Sequence, residues 1–284
     1  MDEVRPNPDY IVASLPTELA RLVGIARLCD EHVRDAFRRV PLGPGGTAID
    51  CGCGALGALL PLSDLVGPAG TVVGVDMNAE SLGHARTILD RAGRDAVRLV
   101  HANVNDLEPA QVCPPGPFDA AYCRFFLTHQ RDPVATLRRM AAVVRPGGHV
   151  VAHEYIHGPC LPASEPPLPA LDAYWGFVDG VLRRVGSPDV ARQFRRLCAA
   201  AGLREVSQRG FLVGGWRNAR EGVQVIHDSL VGIRGALLGH GAATAEDVDR
   251  VQAELAAALS WDFDIALVAA CVELVAQVAG EPAG

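Results

Sequence analysis

The sequence predicts an α/β fold, with a mostly parallel sheet and helices on both of its faces. Between residues 47 and 155, β-branched apolar runs alternate with helical stretches, which is the pattern of repeated strand–helix–strand units. A glycine-rich turn follows the first run, and the second run, 71–76, ends in an acidic residue. With 284 residues and 49% hydrophobic content, the chain can bury one large core that carries a cap.

The chain divides into four predicted segments. These are an N-terminal helical cap at 1–45, a core of alternating strands and helices at 46–155, a cap insertion at 156–200, and a C-terminal part of the sheet at 201–284 with a helical insertion at 214–258. Apolar periodicity and breaker residues predict helices near 17–40, 56–66, 79–92, 132–144, 171–185, 188–201, 217–238 and 245–258. Five prolines between Pro159 and Pro169 predict a loop, and a final strand is expected over 263–275.

The glycine-rich turn is the most informative stretch of the chain. Gly52, Gly54 and Gly57 fit the G-x-G-x-x-G spacing that lets a backbone approach a nucleotide closely. Both dinucleotides and S-adenosylmethionine (SAM) bind to turns of this kind. Asp50 separates the two ligands, because a carboxylate at this turn repels a pyrophosphate but attracts the ammonium and sulfonium groups of SAM. The turn therefore favours SAM.

A second acidic residue lies where a ribose would need it. Asp76 ends the second predicted strand, 24 positions after Gly52. An acid at this place accepts hydrogen bonds from ribose hydroxyls. Asn103 follows the next predicted strand, 97–100, and is placed to meet the adenine edge.

Together these motifs resemble those of class I SAM-dependent methyltransferases over residues 10–155. Residues 50–54 are similar to the D-x-G-x-G signature, 73–77 to the ribose-binding strand, and 103–107 to the D-A-x-D-L block, with Asn103 where an aspartate is commoner. Two further blocks, 127–133 and 145–148, resemble the ubiquinone-biosynthesis-type, small-molecule subgroup. The resemblance implies a Rossmann-like sheet of seven strands in the order 3-2-1-4-5-7-6 with helical cap insertions, and 46–155 as the SAM-binding core.

The same resemblance implies which residues hold the cofactor. An N-terminal helix that includes Tyr10 and Arg21 is expected to cover the methionine end of SAM. Arg21 would pair there with the carboxylate of SAM, or alternatively form a salt bridge on the helix surface. The expected cofactor-binding residues are Tyr10, Arg21, Asp50, Gly52, Gly54, Asp76, Met77, Asn103, Val104 and Arg124.

Candidate acid–base groups lie after the fourth predicted strand, 118–123, and at the end of the fifth, which closes at 153–155. Glu154 and His129 are expected as catalytic residues that remove a proton from the acceptor. Because side chains alternate along a strand, Glu154 points to the opposite face of the sheet from His153 and Tyr155, so only some of these three residues can face the site. The expected substrate-binding residues are His153, Tyr155, His157, Tyr174, Trp175 and Phe177. Structural histidines, and aromatic side chains that only pack the cap onto the core, remain the alternatives.

The charge, apolar runs and cysteines of the sequence limit the classes of partner that the protein can bind. A net charge of -7, with arginine as every one of the 26 basic residues, argues against nucleic acid. No apolar run reaches the length of a membrane span, and the first residues lack the apolar core of a signal peptide, so no membrane partner is expected. The 8 scattered cysteines predict reduced thiols in a cytoplasmic protein. A monomer or homodimer is also expected. Cys51 and Cys53 have no second metal-spaced pair, so no metal is expected.

Three functions remain open from the sequence. The first is methyl transfer from SAM to a small organic molecule, such as a specialised-metabolite or quinone-like intermediate, by in-line displacement with release of S-adenosylhomocysteine (SAH). The second is a SAM-fold protein that binds the cofactor without methyl transfer, as a cyclising catalyst or a binding module. The third is a nicotinamide-dependent oxidoreductase, which Asp50 and the N-terminal block disfavour.

Overall fold

The computed structural model describes residues 16–112, 117–157 and 163–280. Within these ranges it contains one sheet of eight strands. The strands are β1 (Thr47–Cys51), β2 (Thr71–Asp76), β3 (Arg98–His101), β4 (Phe118–Arg124), β5 (Val144–Tyr155), β6 (Ala163–Glu165), β7 (Leu203–Gly215) and β8 (Ile265–Val278). The α/β fold with a mostly parallel sheet is therefore confirmed.

The strand order differs in one respect from the expected 3-2-1-4-5-7-6. The five parallel strands follow the order β3-β2-β1-β4-β5, and β8 lies antiparallel to β5. The other edge of β8 pairs with β7, so β8 and β7 take the places of strands 7 and 6 in the expected order. The difference is an eighth strand, β6, which was not predicted. It lies inside the proline-rich segment that was expected to be a loop, and it pairs with Ile265 to Leu267 of β8.

Nine helices accompany the strands within the described ranges. Eight of them fall at the predicted places, and the short α4 was not predicted. They are α1 (Pro16–Phe37), α2 (Leu59–Val66), α3 (Ala79–Arg91), the short α4 (Pro109–Val112), α5 (Pro133–Ala142), α6 (Ala170–Val185), α7 (Val190–Ala201), α8 (Ala219–Gly239) and α9 (Ala245–Ala258). Asn78 caps α3 by accepting a hydrogen bond from Ser81 N, and Asp132 caps α5 in the same way, just before Pro133. None of these helices is long and apolar enough to cross a lipid bilayer.

Three apolar clusters hold the layers together. On one face of the sheet, α5 and α7 pack over residues such as Ile49 and Val150. On the other face, α1, α2 and α3 pack over residues such as Tyr122 and Val151. The third cluster joins α6, α8 and α9 to α1 and to the first half of β8, so the first helix of the insertion 156–200 packs with both helices of the insertion 214–258. The four-segment division itself stays a prediction.

Candidate functional site

A cavity of about 1220 Å³ opens where β1, β2 and β4 end. Gly52, Asp76 and Arg124, which lie at the carboxyl ends of these strands, all line it. In open α/β sheets, ligands bind at this edge, beside the point where the strand order reverses. Helices α1, α6 and α8 cover the cavity from the other side, through residues such as Leu22, Trp175 and Ile226.

The glycine turn wraps closely around the end of β2. The backbone N–H groups of Gly52 and Cys53 both donate to Val75 O, over 2.8 and 3.1 Å. Gly52, Gly54 and Gly57 all have positive φ, at 78, 54 and 51°, where a side chain is strained. A Cβ on Gly57 would come within 2.2 Å of Asp50 Oδ2, so glycine is required there for a second reason.

Asp50 is held by this turn. It is 1% exposed, and its Oδ2 accepts a hydrogen bond of 2.6 Å from Ala58 N, at the start of α2. Burial raises the pKa of Asp50 to about 7, which the bond from Ala58 and the charge of Arg124 oppose. Its carboxyl group lines the cavity, as the turn motif predicts.

Asp76 is anchored at both oxygens. Oδ2 accepts from Gly54 N and Oδ1 accepts from Asn78 N, each over 2.8 Å. Each carboxylate oxygen has a second lone pair, so the group keeps acceptor capacity for ligand hydroxyls. Burial raises the pKa of Asp76 above its ordinary value. Asp76 therefore both fixes the turn and lines the cavity.

Three other predicted cofactor residues line the cavity beyond Asp76: Met77, Asn103 and Val104. The side-chain oxygen of Asn103 accepts from Asn105 N over 3.0 Å, and its Nδ2 donates to Asp106 Oδ2 over 3.1 Å. Asn103 thus caps the short 3₁₀ turn Val104–Asp106, and this cap fixes its side chain at the cavity wall.

Two arginines reach the cavity, as predicted: Arg21 from α1 and Arg124 from the end of β4. Nη2 of Arg124 donates to Gly57 O over 3.0 Å. Its Nη1 is buried and has no hydrogen-bond partner among the described residues. A buried guanidinium nitrogen without an acceptor is costly, so a ligand carboxylate at this place would stabilise the site.

His129, His157 and Thr128 form a polar group on the cavity wall. Thr128 Oγ1 lies 3.2 Å from His157 Nε2. Burial lowers the pKa of His129 to about 3 and that of His157 to about 4. Both imidazoles are therefore neutral at physiological pH, the state in which a ring nitrogen can accept a proton.

Glu154 does not line the cavity, which corrects the expectation that it faces the acceptor. The residue is 0% exposed, and its Oε1 accepts hydrogen bonds from Phe126 N and Leu127 N over 2.9 and 2.6 Å. Burial raises its pKa to about 8. It holds the turn that carries His129, and it points to the opposite sheet face from its neighbours, as strand alternation predicts.

Two further expected residues also lie away from the cavity. His153 is 0% exposed, and its Nδ1 lies 3.0 Å from the hydroxyl of Tyr122, beneath α1. Phe177 packs into the cluster of α6, α8 and α9, because only one face of α6, with Tyr174, Val178 and Leu182 four residues apart, meets the cavity. The prediction for Tyr10 falls outside the described residues.

An aromatic wall forms the rest of the site. Tyr155 stacks on Phe125 with ring centroids 3.6 Å apart, and it meets Trp175 edge-on at 4.9 Å. Trp175 Nε1 donates to Val268 O, and the Tyr174 hydroxyl bonds to Ser229 Oγ over 2.6 Å. Phe125 and four α8 residues also line the cavity and were not predicted from the sequence: Val225, Ile226, Ser229 and Ile233. Amphipathic spacing on α8 was the available signal. Across 16–112, 117–157 and 163–280, no group of three or more His, Cys, Asp or Glu side chains is arranged to hold a metal ion.

Comparison with known proteins finds relatives for the central part of the chain. Residues 42–167 match the family model described as a methyltransferase domain. Over these residues the chain resembles SAM-dependent methyltransferases. Demethylmenaquinone methyltransferase from Halalkalibacterium halodurans is 31% identical over 144 residues, which are 51% of this chain and 54% of that protein. The chain thus spans about half the length of the curated relatives that it matches.

Solved structures show the same fold at low identity. A putative methyltransferase from Bacillus halodurans superposes with a TM-score of 0.56 at 12% identity, over 88% of this chain and 99% of that one. The [4+2]-cyclase SpnF superposes with a TM-score of 0.53 at 18% identity, over 88% of this chain and 82% of that one. These likenesses concern the fold of the methyltransferase domain.

SAM is the cofactor of this domain family, and the residues present fit it. Asp76 offers acceptors to a ribose, and Asp50 offers a carboxyl group beside the turn. The buried Nη1 of Arg124 lacks an acceptor that a methionine carboxylate would supply. The lining therefore offers acceptors for the ribose and a donor for the carboxylate of the cofactor.

Proposed function

We propose that this protein transfers the methyl group of SAM to a small organic molecule. The carrying observation is one continuous cavity in which the carboxyl groups of Asp50 and Asp76 share a space with the aromatic wall of Phe125, Tyr155 and Trp175. Its volume of about 1220 Å³ exceeds the 300–1,000 Å³ or so of ordinary ligand pockets. Such a space suits a cofactor and an acceptor bound side by side.

The chain's own residues do three things in this reaction. Asp76 binds and orients the ribose, while Arg124 and Arg21 hold the carboxylate of the methionine part. Met77, Asn103 and Val104 enclose the adenine, and Gly52 and Gly54 let the backbone approach. When bound, SAM supplies an activated methyl carbon on a sulfonium, so alignment of the acceptor by the aromatic wall provides much of the catalysis.

His129 is the proposed general base. It lies on the cavity, and burial lowers its pKa to about 3, so the ring is unprotonated at neutral pH. As a weak base, it takes the proton of the acceptor only as the new bond to the methyl carbon makes that proton acidic. Tyr155 and His157 contact the acceptor beside it. Glu154 is not proposed as a base, because its carboxyl group is turned to the backbone of Phe126 and Leu127.

For the acceptor, we infer a specialised-metabolite or quinone-like intermediate. The mainly apolar lining from α6 and α8 supports this class, and matched relatives are named demethylmenaquinone methyltransferases. We also propose a cytoplasmic monomer or homodimer without a nucleic-acid partner. Support for the compartment comes from six described cysteines, which are buried free thiols and suit a reducing environment.

Two measurements test the proposed function. Calorimetric titration should show that SAM and SAH bind and that NAD does not. Incubation with SAM and candidate acceptors, followed by mass spectrometry, should show SAH and a product heavier by one methylene. SAM binding with no SAH from any acceptor would favour the cyclising or binding role instead, and tight NAD binding without SAM binding would refute the assignment.

A further inference from the structure

The part of the cavity under α6 and α8, here called the acceptor arm, has an uneven distribution of polar groups. Its lining from these two helices comprises Tyr174, Trp175, Val178, Leu182, Val225, Ile226, Ser229 and Ile233. Six of these eight side chains are aliphatic or aromatic without a hydroxyl. The two exceptions, Tyr174 and Ser229, lie next to each other.

Charged side chains of these two helices turn away from the arm. Asp179 of α6 is bound by Arg183, and Asp228 of α8 accepts from Gln224 Nε2 over 2.8 Å. Neither aspartate lines the cavity. The nearby imidazoles of His129 and His157 are neutral, because burial lowers their pKa values to about 3 and about 4. A charged ligand would lose its hydration in the arm and gain no counter-charge from these residues.

Tyr174 and Ser229 make a buried polar spot in this apolar surface. Their side-chain oxygens are 2.6 Å apart, and the residues are 5% and 6% exposed. A hydroxyl group has one proton and two lone pairs, so the bond between the pair leaves Ser229 Oγ with further hydrogen-bonding capacity. Since Ser229 lines the cavity, that capacity is directed at whatever occupies the arm.

A continuous wall separates this spot from the proposed base. From Thr128, the contacts run to His157 at 3.2 Å, then to Trp175 at 5.6 Å between ring centroids. Trp175 meets Tyr174 at 5.1 Å, and Tyr174 reaches Ser229. The arm therefore has a polar group at each end and an aromatic surface between them.

From this arrangement we propose that Ser229 and Tyr174 form a second oxygen-recognition subsite, so that the acceptor is uncharged, largely hydrocarbon and oxygenated at two separated positions. One oxygen lies beside His129, and the second binds the Ser229–Tyr174 pair. Rings between the two oxygens pack on Trp175. The inference rests on the proposed function for the identity of the first position.

Matched probe molecules test the subsite without turnover. The SAH-loaded protein is titrated with phenol, naphthol and phenylphenol, each beside the diol that has a second hydroxyl at its far end. At least one diol should bind about 2- to 10-fold tighter than its partner, the range for one added hydrogen bond. Naphthoate and a naphthyl trimethylammonium ion should bind more weakly than naphthol.

Two variants locate the effect. Ser229→Ala should remove the advantage of the diol, and Tyr174→Phe, which keeps the ring, should reduce it. Ser260→Ala, at an exposed serine, is the matched control and should retain it. SAH affinity and melting temperature are measured for every variant, and Tyr174→Phe serves if Ser229→Ala does not fold.

Three outcomes would overturn the subsite: equal affinity of every diol and its partner, a diol advantage that survives both variants, or equal binding of the charged probes. No measurable binding of any diol would also overturn it. SAH production is followed separately. Its absence despite a diol advantage refutes methyl transfer alone, whereas its presence without a diol advantage refutes the subsite alone.

Discussion

The rings of Phe125 and Tyr155 are stacked face to face, with centroids 3.6 Å apart and planes 7° apart. Phe125 has a φ of 51°, and no other non-glycine residue in the described ranges has a positive φ. Such a conformation costs about 1–3 kcal/mol and persists where its surroundings determine it, often at a ligand site. Here the N–H of Phe125 donates to His153 O over 2.8 Å, which fixes the turn.

Replacement of the Phe125 ring tests whether this stack contributes to binding of the acceptor. Phe125→Leu keeps an apolar side chain but removes the stacking, which is worth about 0.5–1.5 kcal/mol. The acceptor KM should therefore rise by about 2- to 10-fold, while calorimetric SAM affinity stays constant. Phe263→Leu, on a ring that packs outside the cavity, is the control. Equal losses for both ligands would assign Phe125 to core packing.

Asp76→Ala should weaken cofactor binding. The variant removes the ribose acceptor and also the bonds from Gly54 N and Asn78 N, so we expect a loss of about 1.5–3 kcal/mol in SAM affinity by calorimetry. Asp262→Ala, on an exposed loop, controls for the change in net charge. Unchanged SAM affinity in Asp76→Ala would exclude Asp76 from the cofactor site.

His129→Ala should lower kcat by about 10²–10⁴-fold if His129 is the base. Because its pKa lies near 3, the ring stays neutral as the pH falls from 8 to 5, and kcat in the native protein should show no protonation step of this histidine in that range. His84→Ala, at a partly exposed histidine outside the cavity, is the control. A near-normal kcat for His129→Ala would assign catalysis to alignment alone.

Glu154→Gln should alter the pH dependence of stability more than activity. The folded pKa of Glu154 is raised to about 8 from an ordinary 4.5, so its stabilising contribution is complete below pH 4.5 and is lost as the pH rises towards 8. A glutamine oxygen can still accept from Phe126 N and Leu127 N, and it stays neutral. Thermal unfolding at pH 5 and 8 should show a smaller decline for the variant, by at least about 1 kcal/mol. An identical decline would refute the raised pKa.

Two glycine substitutions separate steric contact from backbone strain. Gly57 and Gly67 have φ values of 51 and 64°, so alanine is strained at both. Only at Gly57 does the new Cβ meet a neighbour, Asp50 Oδ2 at 2.2 Å, whereas at Gly67 nothing lies within 4 Å. Gly57→Ala should therefore destabilise the fold by about 1–3 kcal/mol more, and also weaken SAM binding. Comparable melting temperatures for the two variants would contradict the contact with Asp50.

The cofactor half of the site was predictable from sequence because each part is a local motif. Asp50, Gly52, Gly54 and Asp76 lie at the ends of two adjacent strands, and strand termini follow from apolar runs and glycines. All four residues line the cavity, as expected. Their contacts with SAM remain predictions, because the fit rests on the protein side alone.

The acceptor half was less predictable because it depends on tertiary packing. Whether Glu154 or His153 meets the cavity depends on which layer covers each sheet face, and the sequence does not specify that Tyr122, Phe211 and Glu273 surround His153. Phe177 was wrongly expected at the cavity because the sequence does not specify how α6 is rotated about its axis. β6 escaped prediction because prolines surround three residues that pair with β8 only at long range.

The position of β8 in the sheet has a consequence for how the protein is made. This strand hydrogen-bonds to β5 on one edge and to β7 on the other, yet the ribosome synthesises both neighbours first. Until β8 emerges, a nascent chain exposes two long strand edges, which are templates for intermolecular pairing. Trp175 Nε1 also lacks its acceptor, Val268 O, until β8 has been synthesised. The sheet can therefore be completed only after β8 has been synthesised and has paired with β5 and β7. We expect the protein to depend on chaperones most in the interval before this pairing.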